Sequence, residues 1–278
     1  MASAGVCPIS KLEKLLLATD RSVFSEGAVE EAISFAKQCS SWLYVLTVLE
    51  SNPEYETIGA DFFQKEQEEI VQHLESVKNR MRQEGVRGEA YFREADNPVQ
   101  IIVEEAVKNA ADMIIMGRHG RTGLLKVLMG NVAAKVIGNA PCKVLVVPKA
   151  ARITYRNILV ATDGSDPSIA AAAEAIGIAK KCGSSIIALS AAPSRVELGE
   201  ATENVNKVVK MAQSEGLEAT ALTPIGQPQD VIVEAAGGRG VDLIVMGAYG
   251  KTGIKKILMG STTEKVIGMS GCAVLVAK

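Results

Sequence analysis

Gly247 and Gly250, followed after nine intervening residues by Gly260, Ser261 and Thr262, are residue types that can hold a phosphate. Glycine permits positive φ and lets main-chain N–H groups approach a ligand with no Cβ in the way. Successive N–H groups in such a turn form an anion-binding concavity. Ser261-Thr-Thr-Glu264 has the S-x-x-E spacing of a capping box, so a helix is expected to begin at Ser261. Its first turn would present free donors and a partial positive charge. If the intervening segment folds back, glycine turn and helix start can grip one polyphosphate together. Ile254, Ile257 and Leu258 have the spacing to pin that segment on the core, and Lys251, Lys255 and Lys256 raise the local potential. A capping box alone is usually only a cap, and a glycine after a strand only a turn. Their combination at fixed spacing points to nucleotide, although it matches neither the Walker A loop nor the dinucleotide G-x-G-x-x-G fingerprint.

These residues need strands and helices to place them. Around the second set, NILVAT, SSIIALSA, EATALTP, DLIVMG and AVLVAK read as strands. Helices are expected over Ser168–Cys182, Asn204–Glu215, Asp230–Ala236 and from Thr262 to about Ile267. Strands alternating with helices predict right-handed crossovers and a parallel, doubly wound, Rossmann-like sheet. Ligands in such sheets sit beyond the carboxyl ends of the strands, where ATD and G-x-x-G fall.

The same order occurs earlier in the chain as LLLAT, WLYVLTV, GEAYFRE, MIIMG and KVLVVP. Asp20 corresponds to Asp163 and Cys39 to Cys182, each pair 143 residues apart. Gly117 corresponds to Gly247, Gly130 to Gly260 and Cys142 to Cys272, each pair 130 apart. The chain is therefore a duplication, with domains at 1–150 and 151–278. The second copy is 13 residues shorter, mostly between its second strand and the next helix. The connector KAARITY (149–155) is short and not rich in Gly or Ser, so the halves should pack together.

Composition removes other classes. Of 278 residues 47% are hydrophobic and only 4% aromatic, an aliphatic core suited to a sheet covered on both faces. The net charge of −2, with no basic stripe, gives no reason to expect nucleic acid. The opening MASAGVCPIS lacks a charged n-region and an apolar h-region, so no signal peptide is expected. No apolar run is long enough to span a membrane. The expectation is a cytoplasmic protein. Five cysteines without a C-x-x-C pair, and only two histidines, argue against zinc and read as small core residues in a reducing compartment. His119 has Tyr249 as its counterpart, which makes it a rim side chain, and Met116, Met129, Met246 and Met259 read as core filler.

The pattern G-x2-G-x9-G-[ST], after a first strand ending in T-D, resembles the universal stress protein family in its tandem form over about residues 10–278. The resemblance implies five-stranded parallel sheets, ATP binding (with or without Mg) and a stress-related regulatory role. It assigns adenine nucleotide to Ala161, Thr162, Asp163, Ala191, Gly247, Gly250, Gly260, Ser261 and Thr262, with Asp163 on the adenosine part. A weaker second site would use Asp20, Val48, Gly117, Gly120, Gly130 and Asn131. There Asn131 replaces Ser, Ala134 replaces the reciprocal Glu, and Asp96 replaces Gly226, while Arg118 and Arg121 could meet an anion. The family's habit of pairing through fifth strands implies an internal pseudo-dimer of KVLVVP and AVLVAK, with a homodimer of whole chains also open. No catalytic or metal-ligating residue is assigned. A non-catalytic ATP-binding regulator leads, with a slow ATPase using Asp163 and a metal, or a nucleotide-independent interaction protein, as alternatives.

Overall fold

The computed structural model describes residues 7–9, 12–51, 60–120, 129–250 and 259–278. The first half runs β1 (Lys14–Ala18), α1 (Glu26–Cys39), β2 (Trp42–Glu50), α2 (Ala60–Gln83), β3 (Gly88–Ala95), α3 (Pro98–Lys108), β4 (Met113–Gly117), α4 (Asn131–Asn139) and β5 (Lys143–Val147). The second runs β6 (Asn157–Ala161), α5 (Asp166–Cys182), β7 (Ser185–Leu189), α6 (Leu198–Ser214), β8 (Ala219–Leu222), α7 (Pro228–Gly238), β9 (Leu243–Gly247), α8 (Ser261–Met269) and β10 (Ala273–Ala277). The expected alternation is present in both halves.

All ten strands join one sheet in the order β3-β2-β1-β4-β5-β10-β9-β6-β7-β8. Pairing is parallel within each half and antiparallel only where β5 meets β10, with Leu145 opposite Leu275. The fifth strands therefore join the halves, as the pseudo-dimer expectation required. The central strands are buried on both faces, so they need apolar residues at every position; β4 reads MIIMG and β9 LIVMG. Alternate residues serve opposite layers. Leu15, Leu17, Met113 and Ile115 pack under α1, α2, α5 and α6. Leu16, Ala18, Ile114 and Met116 pack under α3, α4, α7 and α8. Each layer runs across both halves without a break.

Local chemistry sets the helix ends. Pro167 stands in the first turn of α5, where its missing N–H costs nothing, and Gly183 ends the helix in the left-handed conformation at φ 70°. The shortening of the second copy appears as α6, with 17 residues, against α2, with 24.

The cysteine expectation needs correction. Cys7 and Cys39 form a disulfide that ties the chain before β1 to the end of α1. Their spacing of 32 residues gave no sign of it, because only the fold brings the two together. Cys142, Cys182 and Cys272 are free thiols and half-buried rather than fully buried. Among the described residues, no helix is long and apolar enough to cross a membrane.

Candidate functional site

In the second half, β6 delivers Ala161 to the carboxyl edge of the sheet, and the Thr162 N–H continues the ladder by donating to the Leu189 carbonyl at 2.9 Å. Thr162 Oγ1 lies 3.0 Å from Ser168 Oγ in the first turn of α5 and accepts the Gly164 N–H at 3.1 Å. Asp163 Oδ1 accepts the Ser165 N–H at 3.1 Å and the Ser165 hydroxyl at 2.5 Å. That Asx turn reverses the chain and fixes the carboxylate. The other oxygen, Oδ2, faces Gly250, where an added Cβ would collide with it. Ala191 lies just beyond β7, next to Ala192, which bridges to Ile225.

Gly247 ends β9 against α5; a Cβ there would sit 2.9 Å from the Pro167 backbone carbon. Gly260 returns to the same place. Its N–H donates to the Ala248 carbonyl at 2.9 Å, and its Cα faces Tyr249 and the Gly250 nitrogen. The Thr263 hydroxyl donates to the Gly247 carbonyl at 3.0 Å and fastens the first turn of α8 to the end of β9. The glycine turn and the helix start thus converge although residues 251–258 separate them in sequence.

Two details of the sequence reading change. Ser261 is the first helical residue, so the N-cap is Gly260, at φ −64° and ψ 140°, and no side chain caps the helix. The Ser261–Glu264 capping box does not form, and the first-turn amides of Ser261, Thr262 and Thr263 carry no side-chain cap. Nor does Gly247 or Gly250 adopt positive φ. Glycine is needed there for close approach, to Pro167 and to Asp163. Lys251, Ile254, Lys255, Lys256, Ile257, Leu258 and Arg121 lie outside the described residues.

The first half repeats this backbone. Thr19 N–H donates to Leu46 O at 3.0 Å, Asp20 Oδ1 accepts from Ser22, and Gly130 N–H donates to Arg118 O at 2.9 Å. Gly117 packs on Phe24 as Gly247 does on Pro167, and a Cβ on Gly120 would lie 3.2 Å from Asp20 Oδ2. Val48 falls within β2, which runs on to Glu50, whereas its counterpart Ala191 lies past the end of β7. The universal stress protein family model matches the chain twice, over residues 11–148 and 154–278.

The chain belongs to the universal stress protein family.

A universal stress protein of Methanocaldococcus jannaschii is 38% identical over 140 residues, spanning 45% of this chain and 82% of that protein. One from Synechocystis is 26% identical over 210 residues, spanning 73% of this chain and 69% of its own length. The crystal structure of a universal stress protein from Archaeoglobus fulgidus superposes with a TM-score of 0.76 at 23% identity, over 96% of this chain and 99% of that one, which speaks for the fold.

Within this universal stress protein the two halves share a backbone and differ in side chains. Asn131, Val132 and Ala133 begin α4 where Ser261, Thr262 and Thr263 begin α8, so the first half lacks the hydroxyl that ties helix to strand. The carboxylate differs too. Asp20 Oδ2 is buried and unpartnered among the described residues. Beside it Arg21, at φ 67° where the second half has Gly164, donates to Glu66 at 2.6 Å and Glu69 at 3.3 Å on α2. His73 Nε2 lies 3.1 Å from Thr19 Oγ1, and burial followed by Arg21 keeps that imidazole below its usual pKa against the pull of Glu26. Asp96 is exposed at the turn before α3.

Arg118 does not stand ready for an anion. It donates through Nη1 to the Ser270 carbonyl at 2.7 Å and through Nε to His119 Nε2 at 3.1 Å. His119 sits edge-on to Phe24 with centroids 6.1 Å apart, as a rim side chain would. Burial, then Arg118, lowers its pKa. Met116, Met129 and Met246 are buried filler, and Met259 packs half-buried against the same layer. Sequence reading missed Thr263 and Ser165, and it gave Arg118 an anion where the structure gives it the Ser270 carbonyl. The D-x-S spacing of Asp163 and Ser165, repeated by Asp20 and Ser22, was a usable signal for the Asx turn. No local signal links Arg118 to Ser270.

Proposed function

We propose that the protein is an ATP-binding stress-response regulator that holds nucleotide mainly through its second half, residues 151–278, and carries a degenerate site in residues 1–150. The observation that supports this most is the convergence of the Gly250 turn with the uncapped start of α8, beside the Asp163 carboxylate. Anions belong where free helix amides and a partial positive charge meet. On this reading the triphosphate rests on Gly250, Gly260, Ser261 and Thr262, close to Gly247. The adenosine lies along Ala161, Thr162, Asp163 and Ala191. Among the described residues no three His, Cys, Asp or Glu gather around a metal. A magnesium ion would arrive on the triphosphate, keeping water and phosphate oxygens as most of its ligands, with Asp163 the nearest carboxylate.

Regulation is the better reading because the site offers donors for charge and a single carboxylate, whose Oδ1 is engaged by Ser165. Nucleotide at a hundredfold excess over Kd would stabilise the bound form by about 2.7 kcal/mol, enough to select a conformation or assembly state. A slow ATPase is the second reading, favoured by the orientation of Asp163 Oδ2 toward Gly250. Turnover that is unchanged in Asp163→Asn would dismiss it. Cytoplasmic residence and a homodimer of whole chains complete the proposal. Fractionation and light scattering check these two. The main test is calorimetric titration with ATP after stripping the purified protein. Micromolar binding is expected, and no heat up to millimolar ATP removes the proposal.

A further inference from the structure

Arg118 belongs to the first half's glycine turn, yet its side chain works on the second half. Its own carbonyl accepts the Gly130 N–H, the residue that precedes α4. Its guanidinium crosses the β5–β10 junction and donates to the carbonyl of Ser270, the C-cap residue of α8. Ser270 is 1% exposed, so little water competes for that carbonyl. The carboxyl end of a helix carries partial negative charge from its unpaired carbonyls, and a cation there holds the helix in place. Ser270 also shapes the entry to β10, accepting the Cys272 N–H at 3.2 Å.

The arrangement has a direction. Ala248 stands where Arg118 would be in the second half, and Ala140 where Ser270 would be in the first, so this pair has no mirror image. Instead Lys278, at the end of the chain, donates to the Ile137 carbonyl in the last turn of α4. Each helix that follows a glycine turn therefore has its carboxyl end held by a cation from the other half. Only α8 is held by a residue that itself sits in a glycine turn.

We propose that Arg118 is a positioning residue for the second-half nucleotide site: through Ser270 it sets α8, and so links the first-half turn to the amides of Ser261 and Thr262. The inference rests on the nucleotide reading above for its ligand, but not for the α8 contact. The test compares wild type with Arg118→Ala, Arg118→Gln and Arg118→Lys in the full chain, by ATP titration and by hydrogen exchange of the ATP-free protein. Arg118→Ala should weaken ATP about fivefold and speed exchange in α8 while α6 is unchanged. Arg118→Lys should recover most of both, and Arg118→Gln, a donor without charge, should fall between. Equal ATP affinity in wild type and Arg118→Ala overturns the proposal, as does failure of Lys to restore what Gln loses. If wild type binds no ATP, the nucleotide reading fails alone. Unaltered α8 exchange in Arg118→Ala then overturns the positioning role separately. Should Arg118→Ala not fold, the ordering of Lys above Gln decides.

Discussion

The two halves hold nearly the same backbone at the carboxyl edge of the sheet and arm it differently. Where the second half places Gly164, Thr262 and Thr263, the first places Arg21, Val132 and Ala133. In the second half the hydroxyl of Thr263 locks helix to strand and the carboxylate faces open glycine. In the first, Arg21 and His73 tie α2 to the turn that follows β1, the Glu66 and Glu69 carboxylates come with it, and Arg118 is turned away to the other half. Duplication preserved the scaffold, since one continuous core demands it, while side chains at the strand ends were released to diverge. Such a pair teaches that a turn of glycines is a geometric permit, and that the residues around it decide what the permit is used for.

The sharpest way to break that comparison is to close each cradle in turn. Gly250→Val drives a side chain into Asp163 and should weaken ATP at least a hundredfold, whereas Gly120→Val should change it less than twofold. Titration of both variants shows whether the halves differ as claimed. Next in size is the disulfide, which only the first half has. Cys39→Ser should cost about 2–4 kcal/mol in urea unfolding, and Cys182→Ser at the equivalent position less than 1.

A third contrast lies between equivalent glutamates. Glu174 pairs with Lys143 at 2.8 Å across the halves. Glu31 is 5% exposed, accepts the Ile153 N–H of the connector, and is pushed up to about 7, first by burial. Arg152, Glu30 and Asp242 act on it too. Its folded pKa exceeds the unfolded value, so its contribution is intact below about 4.5 and is lost as pH rises through about 7. Stability should therefore fall over that window by on the order of 3 kcal/mol, and Glu31→Gln should flatten the fall. The smallest effect is at Thr263. Removing its hydroxyl in Thr263→Val should cost about 1 kcal/mol, a roughly fivefold loss of ATP affinity, and Ala133→Thr should give the first half no nucleotide.

Periodicity carried most of the fold, because a strand buried on both faces must be apolar throughout and a repeat shows the same order of elements twice. MIIMG and LIVMG could be read that way from their letters alone. The candidate site was legible where main chain matters, at Gly250, Gly260 and Ser261, whose spacing survives in one dimension. Two details escaped. Ser261 was one position too far along to be the cap, since helix starts are set by φ and ψ rather than by the cap residue's type. Contacts between residues far apart in sequence, such as Arg118 with Ser270 across the halves and Cys7 with Cys39 within the first, depend on the tertiary fold and leave no local pattern.

The central claim is that one half, and not both, holds nucleotide. Counting ATP per chain by calorimetry and by release from freshly purified protein tests it most directly. One nucleotide per chain, absent from Gly250→Val and kept by Gly120→Val, is the predicted result. Two per chain, or one that persists in Gly250→Val, would contradict it.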